Sequence, residues 1–170
     1  MNNIFITGFM GTGKSSVGRE IARHLKCDFL DLDELIEKQE GKSIPDIFKE
    51  KGEPYFRSLE KRFLEEISRK DKQVISCGGG IVIDPDNIRL MKRAGVMVCL
   101  TAKPEVILER TRKFFHRPLL NTPNPQERIC SLLAERQKFY DQADIIVDTS
   151  AISIKQAATR VLNSLPDKPI

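Results

Sequence analysis

An α/β fold, a parallel β-sheet with helices on both faces, is what this sequence predicts, on three observations. Five short runs rich in β-branched and apolar residues, "NIFITG", "DFLDLD", "QVISCGGG", "GVMVCLTA" and "DIIVDTS", recur along the chain. Each is followed by a segment of helical character, and alternation of that kind builds strand–helix–strand units. The first junction, "GFMGTGKS" at residues 8 to 15, is a glycine-rich turn between an apolar strand and an amphipathic helix. At 170 residues the chain has the size of one domain, residues 1–170, able to bury about 70% of the surface its unfolded form exposes.

Composition narrows the function classes. The 28 basic and 24 acidic residues give a net charge of +4 and are spread along the whole length, with no basic tail. Nucleic acid is therefore not an expected partner, whereas small anionic ligands are mildly favoured. Cys27, Cys77, Cys99 and Cys130 form no CxxC pair and there are two histidines, so reduced, mostly buried thiols are expected rather than a zinc site. "MNN" leads directly into "IFITG", with no basic and apolar leader, and no apolar run approaches the length of a membrane span. The expectation is a soluble cytoplasmic protein without a membrane partner.

Taken in order, the first element is a strand ending at Gly8, and residues 8 to 15 fit GxxxxGK[ST] in the strand-to-helix context that motif requires. Gly8, Gly11 and Gly13 let successive N–H groups turn inward around phosphate oxygens, and the start of the next helix adds a favourable field. Lys14 can reach β- and γ-phosphates, while the Ser15 hydroxyl is the expected ligand for Mg²⁺ bridging them. Val17, Ile21 and Leu25 place the apolar face of that helix.

In the second run, "FLDLDELI", Asp31 and Asp33 project to one side of a strand and Leu30 and Leu32 to the other. Asp31 could act on Mg²⁺, directly or through water, and Asp33 could hold or deprotonate an attacking hydroxyl. The competing reading is that either aspartate caps a helix starting near Glu34. Next comes a helix whose apolar face is Phe56, Leu59, Phe63 and Ile67, with Arg57 three residues before Glu60. The glutamate can steady the guanidinium, or the two form a plain surface pair.

The third run ends in "CGGGIV", where Gly78, Gly79 and Gly80 permit very close approach of another group. Asp84 before Pro85 and Asn124 before Pro125 read as helix caps followed by proline in the first turn. "HRPLLNTPNPQ", residues 116 to 126, is a loop between helices in which Arg117 is suited to close over a transferring phosphate; His116 reads as a surface residue. Arg136 in "AERQKFYDQAD" is either a clamp for an anionic substrate or a solvated helix residue. Asp148, with Thr149 and Ser150 beside it, reads as a turn former.

In this order and spacing, "GFMGTGKSS", "DLD", "FRSLE", "GGG", "RPLL" and "ERQKFYDQAD" resemble the shikimate kinases over residues 4 to 150. The resemblance implies a nucleoside monophosphate kinase type of fold, with a five-stranded parallel sheet of order 2-3-1-4-5 in three α/β/α layers. It also implies a substrate-binding region near residues 33–61 and a lid near 112–124. The implied reaction moves the γ-phosphate of ATP to the 3-hydroxyl of shikimate, with Mg²⁺ as cofactor, on the way to chorismate and the aromatic amino acids. Asp33 would bind the shikimate hydroxyls and act as base, Arg57 and Arg136 would grip the carboxylate, and Gly78, Gly79 and Gly80 would line the pocket. Lys14 and Arg117 would stabilise the transferring phosphoryl group, and Ser15, with Asp31 through water, would hold the metal. Gly11, Thr12, Gly13 and Ser16 complete the nucleotide loop, and Arg110 in "ILERT" would pack on adenine. Two segments depart from the family pattern: Asn124 stands where aspartate is more usual, and "TSAISIK" carries no proline. The rivals are another small-metabolite kinase, such as a gluconate kinase, and a nucleotide-binding regulatory protein. A monomer is expected.

Overall fold

The computed structural model describes residues 2–112 and 123–166. Five parallel strands run β1 (Asn3–Gly8), β2 (Asp28–Asp31), β3 (Gln73–Ser76), β4 (Gly95–Thr101) and β5 (Ile145–Asp148), in the spatial order β2-β3-β1-β4-β5. This is the order the resemblance implied. Among the described residues seven α-helices connect and cover them: α1 (Lys14–Leu25), α2 (Leu32–Glu40), α3 (Ile44–Ile67), α4 (Pro85–Ala94), α5 (Pro104–Thr111), α6 (Pro125–Tyr140) and α7 (Ile154–Ser164).

The strand runs read as nearly continuous apolar stretches because both faces of the sheet are buried. Alternate residues go to opposite faces. Phe5, Ile75, Met97 and Cys99 pack on one side against α2, α3 and α4. Ile4, Ile6, Val74, Val98 and Leu100 pack on the other against α1 and α7 through Val17, Ile21, Ala157 and Val161. A smaller cluster of Phe9, Ile107, Ile129 and Leu132 ties the turn after β1 to α5 and α6.

The helix starts follow their capping residues. Asp84 accepts from the Asp86 amide at 2.8 Å ahead of Pro85, and Asn124 accepts from the Glu127 amide at 3.3 Å ahead of Pro125. Asn124 therefore caps its helix in the place where aspartate is more usual. In the proline-free "TSAISIK", Ser153 and Gln156 form a reciprocal capping box that starts α7.

Two local departures from expectation matter for the site. β2 stops at Asp31 and Leu32 already begins α2, so Asp33 lies in the first turn of a helix and not beside Asp31 on a strand face. Asp31 itself is the cap, its Oδ1 accepting from the Asp33 amide at 3.1 Å. Within α3 the backbone breaks at Gly52, φ 80 and ψ 167, two residues before Pro54. Proline in a helix interior clashes with the preceding turn and removes a hydrogen bond. The break separates an outer half of α3 from an inner half bearing Arg57 and Glu60.

In register, Asp31 pairs with Ser76 and Ser76 with Ile6, so β2 and β3 end level and β1 runs on beyond them to Gly8. In parallel α/β sheets ligands bind just beyond the carboxyl ends of the strands.

Candidate active site

The turn after β1 is shaped by backbone that side chains would obstruct. Gly11 and Gly13 have φ of 77 and 94, in the left-handed region, and a Cβ on Gly8 would collide with the Leu100 carbonyl. Thr12 Oγ1 donates to the Phe9 carbonyl at 2.7 Å and Lys14 Nζ donates to the same oxygen at 3.1 Å. The amides at the start of α1 have no partners within the helix, and this end attracts anions. Its first turn carries no acidic side chain to compete for that field.

Ser15, on the same turn of α1, donates from Oγ to Asp31 Oδ2 at 2.6 Å and lies 3.3 Å from Ser76 Oγ. Asp31 thus does two things: one oxygen caps α2 and the other meets Ser15. Capping and a place beside the phosphate loop are compatible because a carboxylate has two acceptor oxygens. The Ser15 hydroxyl and the Asp31 carboxylate are hard oxygen donors of the kind that Mg²⁺ prefers.

Beyond β3, the glycine triplet is packed against functional groups. A Cβ on Gly80 would stand 2.5 Å from Arg57 Nη2, and one on Gly78 would strike Glu60 Oε1 while lying 3.1 Å from Asp33 Oδ1. Arg57 pairs with Glu60 through Nη1 and with Glu53 through Nη2 at 2.9 Å. Glu60 is 1% exposed, so this is not a surface pair. Burial, only partly offset by Arg57, pushes the Glu60 carboxyl up to about 7, and the neighbouring Asp33 and Glu53 add to the rise.

Arg136 is 7% exposed, which excludes the solvated-helix reading. It reaches the Gly79 carbonyl at 3.4 Å and its guanidinium carbon lies 5.7 Å from the centre of the Phe9 ring. Tyr140, one turn further along α6, donates to the same Gly79 carbonyl at 2.7 Å. Asp33, Arg57, Arg136 and the three glycines all border one cavity of about 390 Å³, walled on its apolar side by Phe48 and Phe56.

A second cleft, about 810 Å³, is bordered by Gly11, Thr12, Gly13 and Ser16, by Arg110 and by the loop after β5. Arg110 donates to the Gly11 carbonyl at 3.3 Å and to Thr149 Oγ1 and carbonyl at 3.1 and 2.7 Å. It therefore joins the phosphate loop to the β5 loop as well as lining the cleft. Lys14 and Ser15 border both clefts. Asp148 accepts from the Ser150 amide and hydroxyl in a tight turn, which agrees with its reading as a turn former. Arg117 and His116, and most of the expected lid, lie outside the described residues.

Three participants were not picked out from the sequence: Ser76, Thr149 and Tyr140. Tyr140 had a signal, since it follows Arg136 by four residues and so shares its helix face. Ser76 and Thr149 depend on strand register and had none.

The shikimate kinase family model matches residues 10–166. A shikimate kinase of Caldanaerobacter subterraneus subsp. tengcongensis is 45% identical over 164 residues, covering 96% of each chain. Among solved structures, the shikimate kinase of Acinetobacter baumannii in complex with shikimate superposes with a TM-score of 0.92 at 35% identity, over 96% of this chain and 92% of that one. The shikimate kinase of Aquifex aeolicus does so at 0.84 and 41% identity, over 95% of each.

Proposed function

The chain belongs to the shikimate kinase family, and from that premise we propose how its two clefts divide the reaction. The enzyme transfers the γ-phosphate of ATP to the 3-hydroxyl of shikimate, giving 3-phosphoshikimate and ADP, a step toward chorismate and the aromatic amino acids. The observation that carries the division is that Lys14 and Ser15 border both clefts, so a phosphoryl group held by the loop faces whatever fills the smaller cavity.

In this reading ATP occupies the 810 Å³ cleft, with its phosphates on the amides of Gly11, Thr12, Gly13, Lys14, Ser15 and Ser16 and its adenine beside Arg110. Shikimate occupies the 390 Å³ cavity. Its carboxylate is gripped by Arg57 and Arg136, whose planar guanidinium groups suit an anion of that shape. The glycine backbone of residues 78–80 lets the ring lie close, and Phe48 and Phe56 supply an apolar wall.

Asp33 accepts the proton of the 3-hydroxyl as its oxygen attacks phosphorus. Lys14 stabilises the charge spreading over the transferring group, joined by Arg117 when its loop closes. The Ser15 hydroxyl and Asp31 would hold Mg²⁺; bound there, the ion supplies charge neutralisation and alignment of the β- and γ-phosphates. Exclusion of water by loop closure protects the phosphoryl group from hydrolysis.

The working form is proposed to be a cytoplasmic monomer. Both clefts are formed by one chain, and all four cysteines are free thiols, which supports a reducing compartment. No described helix is long and apolar enough to cross a membrane. The acceptor is tested by coupled ADP release with shikimate, gluconate and nucleoside monophosphates offered in parallel. Release with shikimate alone is expected; release with another acceptor and none with shikimate overturns the reading.

A further inference from the structure

Glu60 holds an unusual position for a carboxyl group. It lies on the inner half of α3 at 1% exposure, with one oxygen on Arg57 Nη1. Its other oxygen, Oε1, is buried and has no hydrogen-bond partner among the described residues. That oxygen and Asp33 Oδ1 flank the same point, where a Cβ of Gly78 would stand. The Arg57 guanidinium that supports Glu60 is the one assigned above to the carboxylate of shikimate. Ligand and side chain therefore draw on one cation.

We infer that shikimate binding is coupled to uptake of a proton from solvent by Glu60, so that the proton is a co-ligand of the acceptor cavity. The inference rests on the reading that Arg57 receives the substrate carboxylate.

The electrostatics around Glu60 set the sign. From its own helix it faces Arg57 and Glu53, and from α2 it faces Asp33. Arg136 from α6 and Lys14 from α1 border the same cavity. Cys77 at the end of β3 is buried with its thiol pushed well up, so it stays neutral. In the free enzyme the carboxyl titrates at about 7, kept that low only by Arg57. An arriving carboxylate adds negative charge nearby and takes part of the Arg57 donor set, and both effects favour the protonated acid. Protonated Glu60 then presents an O–H donor where the ionised group left an unpaired acceptor.

Linkage turns this into numbers. If the bound anion raises the carboxyl by a factor of about ten in proton affinity, shikimate affinity falls about five- to tenfold between pH 6 and pH 8.5. Near pH 7.5 about half a proton is taken up per shikimate bound.

The test is titration calorimetry of shikimate into the full chain at pH 7.5, in two buffers of different ionisation enthalpy, with affinity followed from pH 6 to pH 8.5. The wild type should take up about half a proton. Glu60→Gln, which keeps an oxygen for Arg57, should take up almost none and bind with a flat pH profile. Equal uptake in wild type and Glu60→Gln, or no uptake by the wild type, overturns the proposal. As a control on folding of the variant, the neutral methyl ester of shikimate is titrated into the wild type, where uptake should drop; equal uptake for acid and ester also overturns it. Arg57→Ala separates the two levels. Undiminished shikimate affinity there overturns the acceptor reading and this proposal with it, while weakened affinity without proton exchange in the wild type overturns this proposal alone.

Discussion

Asp33 and Glu60 are two carboxyl groups beside one glycine, and their proposed tasks differ because their surroundings differ. Asp33 is half-buried in the first turn of α2, bordering the acceptor cavity, whereas Glu60 is sealed behind Arg57. As the proposed base, Asp33 has a clean test. Asp33→Asn is expected to lower kcat by about 10²- to 10⁴-fold while ATP binds within about twofold of wild type; near-normal turnover would remove it from the mechanism. Glu60 makes a stability prediction independent of ligand. Its folded-state carboxyl titrates at about 7 against an ordinary 4.5, so between those values the folded chain binds more protons than the unfolded one. Stability from this group is present at low pH and declines as pH rises from 4.5 to 7, by an amount on the order of 3 kcal/mol. Melting curves of wild type and Glu60→Gln between pH 5 and pH 8 should diverge, the variant gaining several degrees relative to wild type as pH rises. Parallel curves would count against a raised carboxyl. Asp33, Arg57 and Arg136 were legible in the sequence as chemistry-bearing residues. The burial of Glu60 and Arg136 was not, because burial is a property of what packs over a side chain.

At the scale of elements, the strands were legible because a sheet buried on both faces writes itself as short apolar runs, and the glycine-rich turn was legible because its backbone excludes most side chains. The start of α2 was misread. Leu32 is buried completely, as it would be on a strand, so the alternation in "FLDLD" cannot distinguish a fifth strand residue from the first turn of a helix. Asp31, read as a cap, marks the true boundary. The break in α3 also went unread, although Gly52 followed by Pro54 is a strong breaker pair. That break has a functional consequence. It orients the Arg57 half independently of the outer half, and Gly52 holds φ 80 with ψ 167, a combination that side chains disfavour. Gly52→Ala is expected to cost about 1–3 kcal/mol of stability and to raise KM for shikimate more than KM for ATP. An equal rise in both would mean that the break does not position the acceptor side in particular.

Over the whole molecule, the sheet order brings the ends of β2, β3 and β1 together, so residues from 31, 76 and 15, remote in sequence, meet at one point. The two clefts diverge from that point, and their outer walls share no residue apart from the loop. Perturbations far from Lys14 and Ser15 should then act separately. Gly80→Ala places a methyl group against the Arg57 guanidinium, the far end of a flexible side chain, so the chain can shift at little cost in stability while losing its place in the acceptor cavity. Arg110→Ala unties the Gly11 carbonyl from Thr149 on the opposite side. The first variant is expected to raise KM for shikimate about tenfold with KM for ATP unchanged, the loss of roughly one charge-assisted hydrogen bond. The second is expected to do the reverse. Groups with no shared partner add in free energy to within about 0.5 kcal/mol, so the double variant should show the product of the two single effects to within about twofold. A clear departure from that product, in steady-state kinetics with each substrate varied in turn, would mean that the clefts communicate through the shared loop and that occupancy of one changes the other.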